Sequence, residues 1–123
     1  CHTKMGVLGA KQLAGCLPSQ LVSLDVDHNQ GLGDEGSGLI ATALWGHAAL
    51  RYVSMCDVGM REKGAKALSR VIVTCTELVH VGFGQQDLGE AGFEAVVQAL
   101  LERVRVGRSL ESVRCRWRWQ DWA

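Results

Sequence analysis

The stretch LGDEGSGLIATAL, from Leu32 to Leu44, decides the fold, because this chain of 123 residues contains a related phrase, LGEAGFEAVVQAL, from Leu88 to Leu100. Two more divergent copies surround Gly9 and Gly64, so that aligned glycines recur at intervals of 27, 28 and 28 residues. A fixed period of this size predicts a repeat protein, in which each unit buries its apolar face against its neighbours.

The apolar residues around each aligned glycine have the period of an α-helix. They lie four positions before the glycine and four and eight positions after it, which places them in one stripe along a helix. The four sets are Met5, Leu13 and Leu17; Leu32, Ile40 and Leu44; Met60, Leu68 and Ile72; and Leu88, Val96 and Leu100. Acidic residues stand at the starts of the last three predicted helices, where the helix dipole favours negative charge. They are Asp34, Glu35, Glu62 and Glu90.

A second pattern lies between the predicted helices. The segments LVSLDV, LRYVSM, LVHVGF and LESVRC begin at Leu21, Leu50, Leu78 and Leu110, and the first, fourth and sixth residue of each is apolar. Alternation between the fourth and sixth positions is the period of a short strand with one buried face. The sequence therefore predicts an α/β fold in which a strand and a helix alternate every 28 residues or so.

The pattern L-x-x-L-x-L, followed by Leu or Met and then by a Gly that opens a helix, resembles the leucine-rich repeat of the ribonuclease-inhibitor-like subtype. RanGAP-type proteins and NOD-like receptors contain such repeats, and the resemblance runs from about Met5 to Cys115. It implies a solenoid, or horseshoe, with short parallel strands on the concave face and helices on the convex face. The subtype places Asn or Cys three residues after the sixth strand position, and here only Asn29 fits, while Val58, Gln86 and Arg118 occupy the other turns.

The predicted domain organisation is a single leucine-rich-repeat segment over residues 1–123, with about four units and an incomplete unit at each end. The units are approximately 1–20 (partial), 21–49, 50–77, 78–109 and 110–123 (partial). Solenoids protect their ends with polar capping repeats, and the sequence shows none. We therefore expect either part of a longer chain or a subunit whose ends are covered by its neighbours.

The composition favours a soluble intracellular protein without a cofactor. Thirteen Lys and Arg balance thirteen Asp and Glu, so no net charge attracts nucleic acid or a membrane surface, and no apolar run reaches membrane-spanning length. The five cysteines are odd in number, fit no zinc spacing and form no C-x-x-C pair, which favours reduced thiols in the cytoplasm, or in an organellar or cytoskeletal/axonemal assembly. Cys16 and Cys115 fall on apolar positions and are expected in the core. No catalytic or metal-binding motif is found, and His28 beside two aspartates is expected to serve a turn.

In a horseshoe of this kind, side chains between the buried strand positions form the concave surface. The predicted surface residues are Ser23, Tyr52, His80 and Ser112 at the third positions, Asp25, Ser54, Gly82 and Arg114 at the fifth, and Asp27, Cys56, Gly84 and Arg116 at the seventh. This order passes from acidic to basic, with a low spot at the two glycines beside Tyr52 and His80. We expect a partner-binding groove here. The alternative is that these positions are merely solvated.

The C-terminal end is rich in arginine and tryptophan, the residues most enriched in binding hot spots. We expect Arg116, Trp117, Trp119 and Trp122 to contact a partner protein. Binding of single-stranded nucleic acid is the disfavoured alternative, because the chain has no net charge. In a third interpretation the tryptophans close the end of the core.

The sequence thus predicts a non-enzymatic protein-interaction or scaffold module, a subunit or fragment of a larger intracellular assembly. It predicts no membrane span, no small-molecule substrate and no metal. Two alternatives follow from the resemblance: the regulatory repeat segment of a NOD-like-receptor-type sensor, and a RanGAP-like GTPase-activating protein.

Overall fold

The computed structural model describes residues 6–17, 20–84, 88–107, 110 and 112–114, and in these residues a strand and a helix alternate along the chain. The helices are α1 (Val7–Gly15), α2 (Gly33–Leu44), α3 (Glu62–Thr74) and α4 (Gly89–Arg105), and a 3₁₀ turn at Gln30–Leu32 precedes α2. The strands are β1 (Ser23–Asp25), β2 (Tyr52–Ser54), β3 (His80–Gly82) and β4 (Ser112–Arg114). The predicted α/β class is confirmed.

The strands form one parallel sheet in the order β1-β2-β3-β4, so that consecutive strands are also neighbours in space. The fourth strand positions, Leu24, Val53, Val81 and Val113, face one another across the sheet in an unbroken register. Each helix packs mainly against the helix before and the helix after it. The apolar positions predicted to share one core are therefore aligned along it.

One hydrophobic core fills the space between the sheet and the helices. The predicted stripe residues of the middle units are buried in it, and they include Leu32, Ile40, Leu44, Met60, Leu68, Ile72, Leu88 and Val96. Residues at the same positions near the two ends of the sheet are only partly buried, among them Leu13, Leu17 and Leu100. Cys16 was predicted to be a core residue, but it is exposed. The prediction was wrong because Cys16 lies just past the end of the first helix, α1.

The aligned glycines allow adjacent helices to approach closely. A Cβ atom on Gly64 would lie against the Ser37 hydroxyl and 2.7 Å from Met60 Cγ, and one on Gly92 would lie 3.0 Å from the Glu62 main chain. A side chain at either position would force the neighbouring atoms to shift, so the glycine at this repeat position favours close packing of the helices.

A buried arginine ties α4 to the end of α3. The Arg103 guanidinium donates hydrogen bonds to the main-chain oxygens of Ile72, Cys75 and Leu78, each at 2.9 Å. Carbonyl groups at the end of a helix have no partner within the helix, and a planar guanidinium can satisfy several of them at once. Arg103 therefore fixes the connection that leads from α3 into β3.

The turn after β1 uses the asparagine that the sequence pattern singled out. Asn29 is buried, and its Nδ2 donates to the Val26 oxygen at 2.7 Å and to the Asp27 oxygen at 3.2 Å. The next turn has Val58 in the corresponding place, and its side chain enters the core. Side-chain hydrogen bonds from Asn29 thus stabilise the first turn, whereas burial of the apolar Val58 side chain stabilises the next.

Candidate interaction surface

The third strand positions form a strip across the sheet. The parallel register aligns Ser23 with Tyr52, Tyr52 with His80, and His80 with Ser112. The rings of Tyr52 and His80 stack, with centroids 4.5 Å apart and an angle of 7° between their planes. Both residues are half-buried, so each keeps some exposure to solvent. The predicted alignment is confirmed, and a role in partner binding stays a prediction.

The fifth strand positions differ from the prediction. Ser54 was expected on the surface, but it is 0% exposed, and Gly82 beside it is buried. The Ser54 hydroxyl donates to Asp27 Oδ1 at 2.7 Å. A Cβ atom on Gly82 would lie 2.7 Å from Ser54 Oγ and 3.2 Å from Cys56 Sγ. The two β2 side chains fill the space that the glycine leaves, so the predicted low spot is closed and Ser54 cannot contact a partner in this structure.

The seventh positions are closed in the same way. Cys56 is 3% exposed, and its sulfur accepts a hydrogen bond from the Gly84 main-chain nitrogen at 3.3 Å. Gly84 is itself buried. Over β1 to β3, where burial is described, the accessible part of the sheet face is therefore narrower than predicted: it consists of the third positions together with the exposed end of β1.

The two aspartates of the predicted acidic end have different roles. Asp27 is half-buried, and its Oδ1 accepts hydrogen bonds from the Ser54 hydroxyl and from the Cys56 main-chain nitrogen, both at 2.7 Å. This carboxylate therefore fastens the turn after β1 to β2. Asp25 is exposed, and its Oδ1 accepts from the Asp27 nitrogen at 2.9 Å. Of the pair, Asp25 is the carboxylate that a partner could reach.

A polar cluster that the sequence analysis did not identify joins the first two turns. Asp57 accepts a hydrogen bond from Gln30 Nε2 at 2.7 Å, and its other oxygen lies 3.0 Å from His28 Nδ1. The bond from Gln30, and then that from His28, lowers the pKa of the Asp57 carboxyl from its ordinary value. His28 and Asp57 both have positive φ, of 63° and 56°. The predicted turn role of His28 is confirmed. The contact between His28 and Asp57 could have been predicted from the sequence, because the two residues occupy the same position in consecutive repeats.

A second missed residue is Asp34, whose carboxylate caps the neighbouring helix. It accepts hydrogen bonds from the main-chain nitrogens of Arg61, Lys63 and Gly64, at 2.9, 3.2 and 2.5 Å. These nitrogens belong to the first turn of α3, which has no side-chain cap of its own. The sequence analysis placed Asp34 at the start of its own helix, and that position is confirmed, but its hydrogen bonds stabilise the next helix.

An open cleft of about 540 Å³ lies beside this cap. It is lined by Asp34, Arg61, Glu62, Lys63, Lys66, Leu88 and Gly89, from the starts of α2, α3 and α4. Glu62 and Lys66 form an exposed ion pair at 3.4 Å. The lining mixes both signs of charge and therefore shows no preference for an anion or a cation.

The predicted basic end of the surface is described only in part. Arg114 lies on β4, in the register position of Asp25, Ser54 and Gly82. Arg116, Trp117, Trp119 and Trp122, and also Cys115, lie outside the described residues. Polarity from acidic to basic along the sheet stays a prediction, as does the contact through the tryptophans.

The part of the chain that the structure covers contains no candidate metal cluster and no candidate membrane span. No group of three or more His, Cys, Asp or Glu side chains there is arranged to hold a metal ion. None of the helices described above combines the length and the apolar character needed to cross a membrane.

Comparisons with known proteins give a structural likeness. No family model and no curated protein matches the sequence. Among solved structures, the chain is similar to the tropomodulin C-terminal domain from Caenorhabditis elegans, with a TM-score of 0.67 and 11% sequence identity. The likeness covers 95% of this chain and 86% of the tropomodulin chain. At this identity it shows the fold alone.

The structural match corrects the resemblance stated from the sequence. The fold is leucine-rich-repeat-like in general, but the assignment to the ribonuclease-inhibitor-like subtype, with RanGAP and NOD-like receptor repeats as relatives, is wrong, because a solved structure that this chain resembles is a tropomodulin domain. The turns give a physical reason for the misassignment. The Asn of the subtype is present only at Asn29, and buried Val58 takes its place in the next turn. The chain is thus an α/β protein with a parallel sheet and a leucine-rich-repeat-like fold.

Proposed function

We propose that this chain is a non-enzymatic protein-interaction module, a four-unit leucine-rich-repeat solenoid that binds a protein partner within a larger intracellular assembly. The observation that carries the proposal is the stack of Tyr52 on His80 at the accessible strip of the sheet. Aromatic side chains offer a large contact area with few rotatable bonds, and they are enriched in protein interfaces. No cofactor or small-molecule substrate forms part of the proposal.

The strip is held rigidly, which supports a binding role. The main-chain nitrogens of Val79 and His80 both donate to the Arg51 oxygen, at 2.8 and 3.1 Å, and fix the entry into β3 beside β2. Stacking further restricts the rotamers of the two rings. A surface that is already ordered loses little conformational entropy on binding, so more of the contact free energy remains as affinity.

The charge beside the strip favours a partner with a basic side chain. Asp25 is exposed on β1, one strand away from Tyr52. An arginine or lysine of the partner could pair with this carboxylate and lie over the tyrosine ring, an arrangement that stabilises a cation through both charge and the ring quadrupole. The tail residues Arg116, Trp117, Trp119 and Trp122 remain in the proposal as a second protein contact.

The test is quantitative affinity purification from an extract of the source organism, with the immobilised wild-type chain as bait. The Y52A/H80A double variant removes both rings. A matched control is V73A, which truncates an exposed side chain on α3, away from the sheet. We expect at least one protein that binds the wild type and V73A equally but binds Y52A/H80A about tenfold less, the loss typical of two interface aromatics.

The proposal is wrong if every protein retained by the wild type is retained equally by a folded Y52A/H80A variant. Folding is checked by the circular dichroism spectrum and the urea midpoint. If the double variant does not fold, the D25K variant replaces it, because the side chain of Asp25 is exposed and lies outside the core. D25K should weaken binding of the same protein, and unchanged binding refutes the assignment of a basic partner.

A further inference from the structure

The outward face of α2 carries no charged side chain after its first turn. From Gly36 to Leu50 the sequence contains no Asp, Glu, Lys or Arg, although Leu39, Thr42 and Ala43 on this helix are exposed or partly exposed. Their spacing of three and four residues places them on one face. The helix lies between α1 and α3, so this face is not an end of the repeat array. Exposed helix faces ordinarily carry charges, as those of α3 and α4 do, so an uncharged face indicates contact with another molecule.

Trp45 extends this face towards α3 and is held in one orientation. It follows directly after α2 and is 40% exposed, and its Nε1 donates to the Ala67 oxygen of α3 at 2.9 Å. The guanidinium carbon of Arg70 lies 5.2 Å from the centre of the Trp45 ring, within the range of a cation–π contact. Tryptophan and arginine are enriched in binding hot spots, and a side chain that is already fixed loses little conformational entropy on binding.

Arg70 supplies a positive charge at the border of the uncharged face. Its side chain is exposed, and no carboxylate of the residues that the structure describes forms an ion pair with it. Lys66, one turn earlier on α3, is paired with Glu62. A guanidinium can hold a carboxylate through two parallel N–H bonds. Charge complementarity therefore favours a partner that places an Asp or Glu beside its apolar side chains.

The main chain of this region favours a helical partner over an extended one. The N–H and C=O groups along α2 and α3 bond within their own helices, so they offer no pairing to an added strand. An α-helix likewise satisfies its own main chain, and an amphipathic one can lay its apolar side on an uncharged surface. Side chains alone then make the contact.

We propose that a helix-side surface, formed by Leu39, Thr42, Ala43, Trp45 and Arg70, binds an acidic amphipathic helix of a partner protein. Aliphatic side chains of that helix cover the uncharged face of α2 and the Trp45 ring, and one of its carboxylates pairs with Arg70. The helix-side surface is separated from the sheet by the hydrophobic core. The proposal therefore gives the chain a second contact, and it does not depend on partner binding by the sheet.

The probe for the first experiment is a phage-displayed library of amphipathic helical peptides whose apolar and charged positions are randomised. Peptides selected on the immobilised wild-type chain are synthesised, and their affinities are measured by fluorescence anisotropy. We expect them to contain more Asp and Glu than Lys and Arg, and to bind the R70E variant about tenfold or more weakly than the wild type. The proposal is overturned if no peptide is enriched, or if the enriched peptides bind R70E as tightly as the wild type.

Further variants separate the ion pair from the uncharged face. The matched control K63E makes the same change of charge at an exposed lysine of α3, about two turns from Arg70, and should bind the peptides as the wild type does. A peptide whose acidic residue is exchanged for lysine should recover its affinity for R70E, because the ion pair is then reversed. T42E adds a charge to the α2 face and should weaken binding even if R70E does not fold. Unchanged binding by T42E refutes the assignment to α2.

Two more measurements identify other occupants of this surface. If the selected peptides lose binding to Y52A/H80A and keep it to R70E, they bind the sheet, and the helix-side proposal is wrong. Cosedimentation with vesicles of phosphatidylserine and phosphatidylcholine tests a membrane contact. If the wild type binds these vesicles, R70E does not, and no helical peptide is enriched, the surface contacts lipid and the proposed protein partner is refuted.

Discussion

Replacing Asp34 with alanine should destabilise the protein through the neighbouring helix α3. The carboxylate accepts hydrogen bonds from three main-chain nitrogens of its first turn, and the shortest, to Gly64, is part-buried. Loss of one capping side chain costs about 0.5–2 kcal/mol, and hydrogen bonds to a charged group lie at the upper end of the range. Since water can reach the exposed nitrogens in the variant, we expect a loss of about 2–3 kcal/mol rather than the sum of three bonds.

Glu62 provides the matched control for this prediction. It occurs one repeat after Asp34 and also lies in the first turn of its helix, but its carboxylate pairs with Lys66 on its own helix at 3.4 Å with both side chains exposed. Such a pair contributes roughly 0.3–0.5 kcal/mol. Both alanine variants lose an acidic residue near a helix start, so the difference between them measures the capping of the neighbouring helix.

Urea denaturation followed by circular dichroism gives the free energy of unfolding of the wild type, D34A, E62A and D34N. We expect D34A to lose about 2–3 kcal/mol, E62A less than about 0.5 kcal/mol, and D34N an intermediate amount, because an amide keeps one acceptor oxygen without the charge. A thermal midpoint lowered by roughly 3–5 °C for each kcal/mol should accompany the loss. Equal destabilisation by D34A and E62A would refute the reasoning.

Three further predictions concern other contacts. Replacing Arg103 with lysine should lower the free energy of unfolding by about 2–4 kcal/mol in a urea titration, because an ammonium group donates from one nitrogen, whereas the guanidinium reaches the three carbonyls from Nη1 and Nη2. Equal stability would contradict its capping role. G82A should cost about 1–3 kcal/mol, because the new Cβ meets Ser54 Oγ at 2.7 Å, and the same substitution should cost less in an S54A background. The lowered pKa of Asp57 predicts stability that is present above the ordinary aspartate pKa of about 3.9 and is lost as the pH falls through the lower folded-state value. D57N should therefore reduce the loss of stability in acid, and an unchanged acid profile would show that another group is responsible.

The repeat period predicted the fold because it reflects packing that every unit shares. Apolar residues at fixed distances from Gly36, Gly64 and Gly92 must face one core, and the glycines must lie where adjacent helices meet. The strand register followed from the same period. The core positions, the glycines and the strand register all follow from the spacing of residues within one repeat. The sequence shows that spacing four times, so it could be recognised without a structure.

The details of the surface could not be predicted in the same way, because they depend on pairs of side chains in adjacent units. Ser54 is buried because Gly82 leaves room beside it and Asp27 binds its hydroxyl. The sequence of the strand that holds Ser54 shows neither the space beside Gly82 nor the hydrogen bond to Asp27. Arg103 was likewise unrecognised, since a charged residue on a helix ordinarily faces solvent and only the neighbouring carbonyl groups explain its burial.

The different contacts of Asp25 and Asp27 decide which charge-reversal variant can test partner binding. Both were predicted as partner-binding residues, and a variant that reverses both charges would be the natural first experiment from the sequence. In the structure, reversal at Asp27 would break its bonds to the Ser54 hydroxyl and the Cys56 nitrogen, so lost binding by that variant would report damage to the sheet. Reversal at Asp25 alone leaves those two bonds in place, and it gives up the exposed hydrogen bond that the Asp25 carboxylate accepts from the Asp27 nitrogen. That substitution therefore tests recognition of a partner with less damage to the sheet than the reversal of both charges would cause.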